Sequence, residues 1–215
     1  SHRDTAPVTL TTEADATLLV DARERLKKQL VGDLGFNIGY NDLMIKLVAH
    51  ALRAFPYMNA RLAAGAEGAE TYIRHLDEVI IALAVDTEQG LLVPVIRRAD
   101  EKPLRQVARE LRTVVDKARQ GEALPEELSG STFTITNLGM YEIDAFTPII
   151  NLPEAAILGV GRIKERPAIH DGELTARAMM WLSLTFDHRL VDGAPAARFL
   201  QHIKSLIEEP YLLLA

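Results

Sequence analysis

The chain of 215 residues contains no cysteine. That absence excludes a disulfide framework, a thiolate metal site and a cysteine nucleophile. It also fits a reducing compartment such as a cytosol. If thiol chemistry takes place here, the thiols belong to the substrates. Long apolar runs are missing too, so no stretch reaches the length of a membrane-spanning helix. The opening Ser1-His2-Arg3-Asp4 has neither the basic start nor the apolar run of a signal peptide. So abrupt a beginning is expected of a domain cut from a longer chain. Blocks of like charge are absent as well: Lys27-Lys28 and Arg97-Arg98, the densest basic clusters, sit beside acids, and the net charge is −6. A nucleic-acid partner is therefore not expected. No internal repeat or low-complexity tract interrupts the chain.

What is present is enough for one sizeable core, with 48% hydrophobic and 25% charged residues. Residues 12–31 read as a helix, with Thr12 and Asp15 spaced as a capping box and Leu18, Leu19, Ala22, Leu26 and Leu30 at helical intervals. A second helix is expected from Asn41 to Pro56. Ala63 to Gly68 is expected as a hairpin or surface loop. Val79 to Val85 is continuously apolar, as in a strand buried on both faces, and Leu91 to Ile96 follows as another. Pro103 opens a third helix that Gly121 closes. Strands are expected over Thr132–Thr136 and Ala155–Ile163, then over Leu174–Phe186 after the tight turn Asp171-Gly172. A last helix runs from about Ala194 to Ile207. Intermixed helices and strands of this kind describe a single α/β domain, with helices packed on a mixed sheet.

The sharpest local feature is Asp187-His188-Arg189-Leu190-Val191-Asp192-Gly193, which follows a long strand and precedes a helix. In a plain structural account, Asp192 caps the final helix, Pro195 lies in its first turn, and Asp187-Arg189 is a solvated pair. A metal pair at His188 and Asp192 lacks a third ligand. The functional account makes His188 a general base, oriented by Asp187 or Asp192. No serine has the flanking glycines of a nucleophile elbow, so His188 has to activate a substrate directly. The second feature is Ser131 to Met140, where Thr132, Thr134 and Thr136 share one face. They are either the wet side of an ordinary strand or, at Thr136, a hydroxyl donor to a developing oxyanion. Gly159-Val160-Gly161-Arg162 does not open a helix and is rejected as a dinucleotide loop.

Five ordered stretches together resemble the catalytic domain of the dihydrolipoamide acyltransferase component of 2-oxo acid dehydrogenase complexes. They are Glu88-Gln89-Gly90-Leu91-Leu92-Val93-Pro94-Val95-Ile96, Phe133-Thr134-Ile135-Thr136-Asn137-Leu138-Gly139-Met140, Phe146-Thr147-Pro148-Ile149-Ile150-Asn151, Ala156-Ile157-Leu158-Gly159-Val160-Gly161 and Asp187-His188-Arg189-Leu190-Val191-Asp192-Gly193. The resemblance covers nearly the whole chain. It implies a two-layer fold similar to chloramphenicol acetyltransferase, built into homotrimers with the active site in a channel between subunits. Cages of such trimers are an extension, for which Tyr211-Leu212-Leu213-Leu214 forms an apolar hook. The apolar faces of the helices and of the strand Met179 to Phe186 are expected to fit an obligate interface.

By position, the resemblance makes His188 the base, Asp192 its partner and Thr136 the stabiliser of the tetrahedral intermediate. Asp86, Thr136, Asn137, Gly161 and Ile163 fall at coenzyme A contacts. Coenzyme A is implied as a substrate and no metal is. The lipoyl group is carried by a separate domain, and that domain, a peripheral-subunit-binding domain and a basic N-terminal arm are absent from these residues. The implied partners are the lipoyl domain and the 2-oxo acid dehydrogenase and dihydrolipoamide dehydrogenase components. The implied setting is a bacterial cytoplasm or a mitochondrial matrix. Gly39 stands where relatives often carry serine, and Glu142 where glycine is frequent. The acyl group is expected to be acetyl or branched-chain rather than succinyl. Two alternatives are a chloramphenicol-type O-acetyltransferase and an inert structural core, the latter disfavoured because it needs none of His188, Thr136 and Asp192.

Overall fold

The computed structural model describes residues 5–64 and 71–214. In chain order it contains β1 (Pro7–Asp15), α1 (Thr17–Leu34), α2 (Tyr40–Ala54), β2 (Ala60–Ala63), β3 (Tyr72–His75), β4 (Ile81–Leu83), β5 (Val85–Thr87), β6 (Gly90–Leu92) and β7 (Val95–Ile96). There follow α3 (Leu104–Gln120), β8 (Phe133–Asn137), β9 (Ala156–Val160), β10 (Lys164–His170), β11 (Glu173–Asp187) and α4 (Gly193–Glu208). The main sheet has the order β1-β11-β9-β8-β4-β7, with β10 also paired to β11. Its ladders β4–β8 and β8–β9 are parallel and the others antiparallel. This is the expected mixed α/β sheet. The proposed loop over Ala63–Gly68 lies largely outside the described residues.

All four helices supply side chains to one large buried cluster on one face of this sheet, including Leu19, Leu47, Leu52, Val107, Leu111, Phe199 and Ile203. Phe133, Ile135, Leu158, Leu184 and Phe186 meet them from the strands. Alternation along each strand sends the intervening residues to the reverse face. That face is covered as well: Ser183, Thr185 and Thr134 are each 1% exposed. The threonine side of β8 is therefore dry, contrary to the wet face of an ordinary strand. Thr134 gives its hydroxyl to Glu154 (2.8 Å), and Thr132 gives its own to the Ile80 carbonyl (3.2 Å).

The first helix begins later than its spacing predicts, at Thr17, because residues 7–15 form a strand. Thr12 pairs with Leu182 across the β1–β11 ladder, so it caps nothing. Asp15 instead accepts from the Thr17 hydroxyl (2.6 Å) and pairs with Arg177 (2.6 Å). Val79–Val85 is not one strand, since the chain leaves the main sheet after Leu83 and Val85–Thr87 forms a ribbon with β6. Leu91–Ile96 likewise breaks into β6 and β7, with Pro94, which has no backbone donor, between them. Asp171 (φ 51°) and Gly172 (φ 82°) make the tight turn between β10 and β11.

The strand from Met179 to Phe186 is not an outward face. It lies between β1 and β9 under the helices, and Leu182, Leu184 and Phe186 are each 0% exposed. Exposed apolar side chains lie elsewhere, on Met140, Tyr141, Ile149 and Leu152, at the β10–β11 tip (Ile169, Leu174) and at Tyr211 and Leu212. Among the described residues, no helix is long and apolar enough to cross a membrane.

Candidate functional site

His188 follows the last residue of β11. Its backbone N–H donates to Ala6 O (2.9 Å), and its ring lies 5.8 Å from that of Phe186. Its side chain is 44% exposed, so one side of the imidazole rests on the core and the other is open. Asp187 is not part of a solvated pair. It is 1% exposed and accepts from Arg189 Nε (3.0 Å), Arg189 Nη2 (2.5 Å) and the Ala6 N–H (3.2 Å). Burial pushes its carboxyl up, but these bonds outweigh burial and hold it below the usual carboxylate range. Asp187 is thus committed to bracing the turn. Asp192 does stand at the N-cap of α4, yet its side chain makes no capping bond. Its Oδ1 lies 3.8 Å from His188 Nδ1, the one carboxylate facing that ring nitrogen among the described residues.

Thr136 lies near the end of β8, half-buried, and its hydroxyl has no hydrogen-bond partner among the described residues. It opens into a cleft of about 640 Å³. Asp86, Asn137, Gly161 and Ile163 line the same cleft, so the five positions implied as coenzyme A contacts come together. Asn137 is held on both sides, donating to Asn41 Oδ1 (2.7 Å) and accepting from the Gly139 N–H (2.9 Å). Tyr141 donates to Asp86 Oδ2 (3.3 Å). Gly161 admits no side chain: a Cβ there would fall 1.7 Å from Asp144 O. Gly39 lines the cleft as well, its N–H held by the Asp42 carboxylate (2.6 Å). Glu142 occupies the left-handed region at φ 61°, a geometry that glycine adopts without strain.

The chain does not bring His188 and Thr136 together. Thr136 is level with Gly159 on β9, and Gly159 with Ser183 on β11. His188 lies five positions beyond Ser183 (188 − 183), about 17 Å along the strand at the usual rise. Because β11 runs antiparallel to β9, and β9 parallel to β8, the two residues occupy opposite ends of the sheet.

Two features escaped sequence reasoning. Glu154, at 2% exposure, accepts from Thr134 and Asn151 through Oε1, while Oε2 is buried with no partner. Burial pushes its carboxyl up to about 7 against the pull of those hydrogen bonds. Its only sequence signal is an acid leading into the apolar run Ala155–Leu158. The second is the part of α3 that lines the cleft, including Arg112 and Arg119. Their i, i+7 spacing is legible in the sequence, but the reading of this helix rested on its apolar positions alone.

Comparison with known proteins places these observations. The family described as 2-oxoacid dehydrogenases acyltransferase (catalytic domain) matches residues 1–215. The dihydrolipoyllysine-residue acetyltransferase component of the pyruvate dehydrogenase complex of Bacillus subtilis is 42% identical over 215 residues, covering 100% of this chain and 48% of its own length. The chain thus spans about half of that curated relative. A crystal structure of Azotobacter vinelandii dihydrolipoamide acetyltransferase superposes with a TM-score of 0.92 at 37% identity, covering 100% of this chain and 87% of that one. Chloramphenicol acetyltransferase shares the fold at a TM-score of 0.60 and 15% identity, over 94% of this chain and 89% of that one.

Proposed function

Since the chain belongs to the 2-oxoacid dehydrogenase acyltransferase family through its catalytic domain, we propose that it transfers an acyl group between dihydrolipoamide and coenzyme A at a site shared by two copies. The observation that carries this reading is the separation of its two reactive groups. A half-exposed imidazole and an unpartnered hydroxyl lie at opposite ends of one sheet, too far apart to touch one substrate atom within a chain. One copy supplies the cleft and Thr136, and its neighbour supplies His188 and Asp192.

In this site His188 takes the proton of the coenzyme A thiol through Nε2, and Asp192 faces Nδ1 and favours the imidazolium that forms. The thiolate attacks the thioester carbonyl of S-acyl dihydrolipoamide. The Thr136 hydroxyl donates to the oxyanion of the tetrahedral intermediate. Collapse breaks the bond to the lipoyl sulfur, which receives the proton from His188. Acyl-CoA and the free dithiol leave. Holding both thiols in one channel lowers the entropic cost of a two-substrate reaction. The acetyltransferase names of the relatives favour acetyl. The closed arrangement is a homotrimer, a unit from which larger cores are built, serving a lipoyl domain and the dehydrogenase components of its complex. Tyr211 and Leu212 are exposed, as an outer contact requires, while Leu213 packs against the core of its own chain.

The test is complementation between two inactive subunits. His188→Ala and Thr136→Val, each expressed alone, lack one half of every site. Co-expressed in equal amounts, they restore about one quarter of wild-type activity, because each interface draws its two halves independently. Mixed assemblies as inactive as the single variants overturn the shared site.

A further inference from the structure

The wall that α3 contributes to the cleft changes character along its length. Ala108, Leu111, Arg112, Val115, Asp116 and Arg119 all line it, at the i, i+3, i+4, i+7, i+8 and i+11 positions of one helical face. Ala108 and Leu111 are buried in the core, whereas Arg112 and Arg119 are exposed. The stripe is thus apolar toward the start of the helix and charged toward its end. Phe36 lies beside the charged part, with the Arg112 guanidinium 5.8 Å from its ring centre.

The cations of α3 are not equivalent. Arg105 and Arg109 pair with Asp33, Lys117 with Glu127, and Arg112 with Asp116 at 2.9 Å. Arg119 alone among the described cations of this helix has no carboxylate within ion-pair distance. The Arg112–Asp116 pair is exposed on both sides, so it holds Arg112 weakly against a more highly charged competitor. Seven residues separate the two arginines, two helical turns or about 10.5 Å of rise. A protein of net charge −6 repels a polyanion unless cations are concentrated where it docks.

We propose that Arg112 and Arg119 form the phosphate-binding end of the cleft and hold the nucleotide end of coenzyme A, while its neutral arm runs toward Thr136. This inference rests on the acyl-transfer reading above. Two guanidiniums two turns apart match a ligand with two separated phosphate groups, which they recognise by charge-assisted hydrogen bonds. Phe36 offers a face on which the base stacks. The arginines touch neither thiol nor carbonyl, so they set affinity and discrimination, not the chemical step.

The experiment compares coenzyme A with pantetheine, which has the same thiol arm and no nucleotide, as acyl acceptors for the assembled protein. Arg119→Gln raises KM for coenzyme A about tenfold, the worth of one charge-assisted hydrogen bond. The KM for pantetheine stays where it was, so the wild-type preference for coenzyme A shrinks by the same factor. Arg119→Lys, which keeps the charge, recovers part of the loss. An unchanged KM for coenzyme A in Arg119→Gln, or an equal rise for both thiols, overturns the assignment and leaves α3 with a merely solvated face. Failure of the wild-type protein to acylate either thiol overturns the acyl-transfer reading instead.

Discussion

The two ends of the central sheet are built in opposite ways. Around Thr136 the backbone is crowded: Gly161 packs against Asp144 O, Gly139 against Gly161 O, and Asn137 is bonded on both sides. Around His188 the turn is open, and it keeps its shape through one ionic brace, the buried Asp187 with the half-exposed Arg189, and two bonds to Ala6. A pocket that binds a long substrate needs walls that do not move, whereas a base completing a neighbour's pocket has to project. The difference agrees with the shared-site proposal, in which the first end is the pocket and the second completes a neighbour's.

Replacing His188, the proposed base, separates the two ends most sharply. His188→Ala is expected to lower kcat at least about a hundredfold, the usual size of a general-base effect. Its Tm should match wild type, because the ring is half-exposed and the braces of the turn involve other groups. Steady-state rates beside a melting curve check this, and near-normal turnover would break the comparison at its root. The crowded end should respond the other way. Gly161→Ala places a methyl into the Asp144 carbonyl and is expected to cost about 3 kcal/mol of stability. That loss corresponds to roughly 10 °C in Tm for a chain of this size. Unaltered melting would show that this wall yields.

The third expectation concerns Glu154. A carboxyl raised to about 7 in the fold, from an ordinary value of 4.5, binds its proton more tightly folded than unfolded. It therefore costs nothing below pH 4.5 and progressively more up to about 7, where the penalty levels off. Glu154→Gln keeps the shape without the charge. It should raise stability by roughly 2–3 kcal/mol at pH 8 and leave it nearly unchanged at pH 4.5. Denaturant midpoints at the two pH values measure this. Equal effects at both would mean that Glu154 is ionised in the folded protein at no cost.

Legibility in the sequence followed how local each cause is. Helices α2 and α3 emerged from apolar spacing and their stop signals, and Asp171-Gly172 from turn chemistry, because both kinds of signal lie within a few residues. Strand β1 was missed because its partner begins more than 160 residues later, and Thr12 with Asp15 imitates a capping box. Strand β10 was missed because it is largely exposed and carries no apolar period. His188, Thr136, Asn137 and Gly161 lie in the ordered motifs that the sequence shows. The distance between His188 and Thr136 was not legible there, since it depends on strand register. Nor was the dryness of the threonine face, which depends on what covers it from elsewhere in the chain.

The two bonds between Ala6 and the His188 turn have a mechanical meaning. Strand β1 starts at that turn and runs away from it along β11, so a pull on the chain upstream of Ala6 peels the ladder from the His188 end first. Tension at the entrance to the domain acts on His188 before it reaches the hydrophobic interior. Slack there leaves the imidazole seated against Phe186, and any tether entering through Ala6 has its anchor point beside His188.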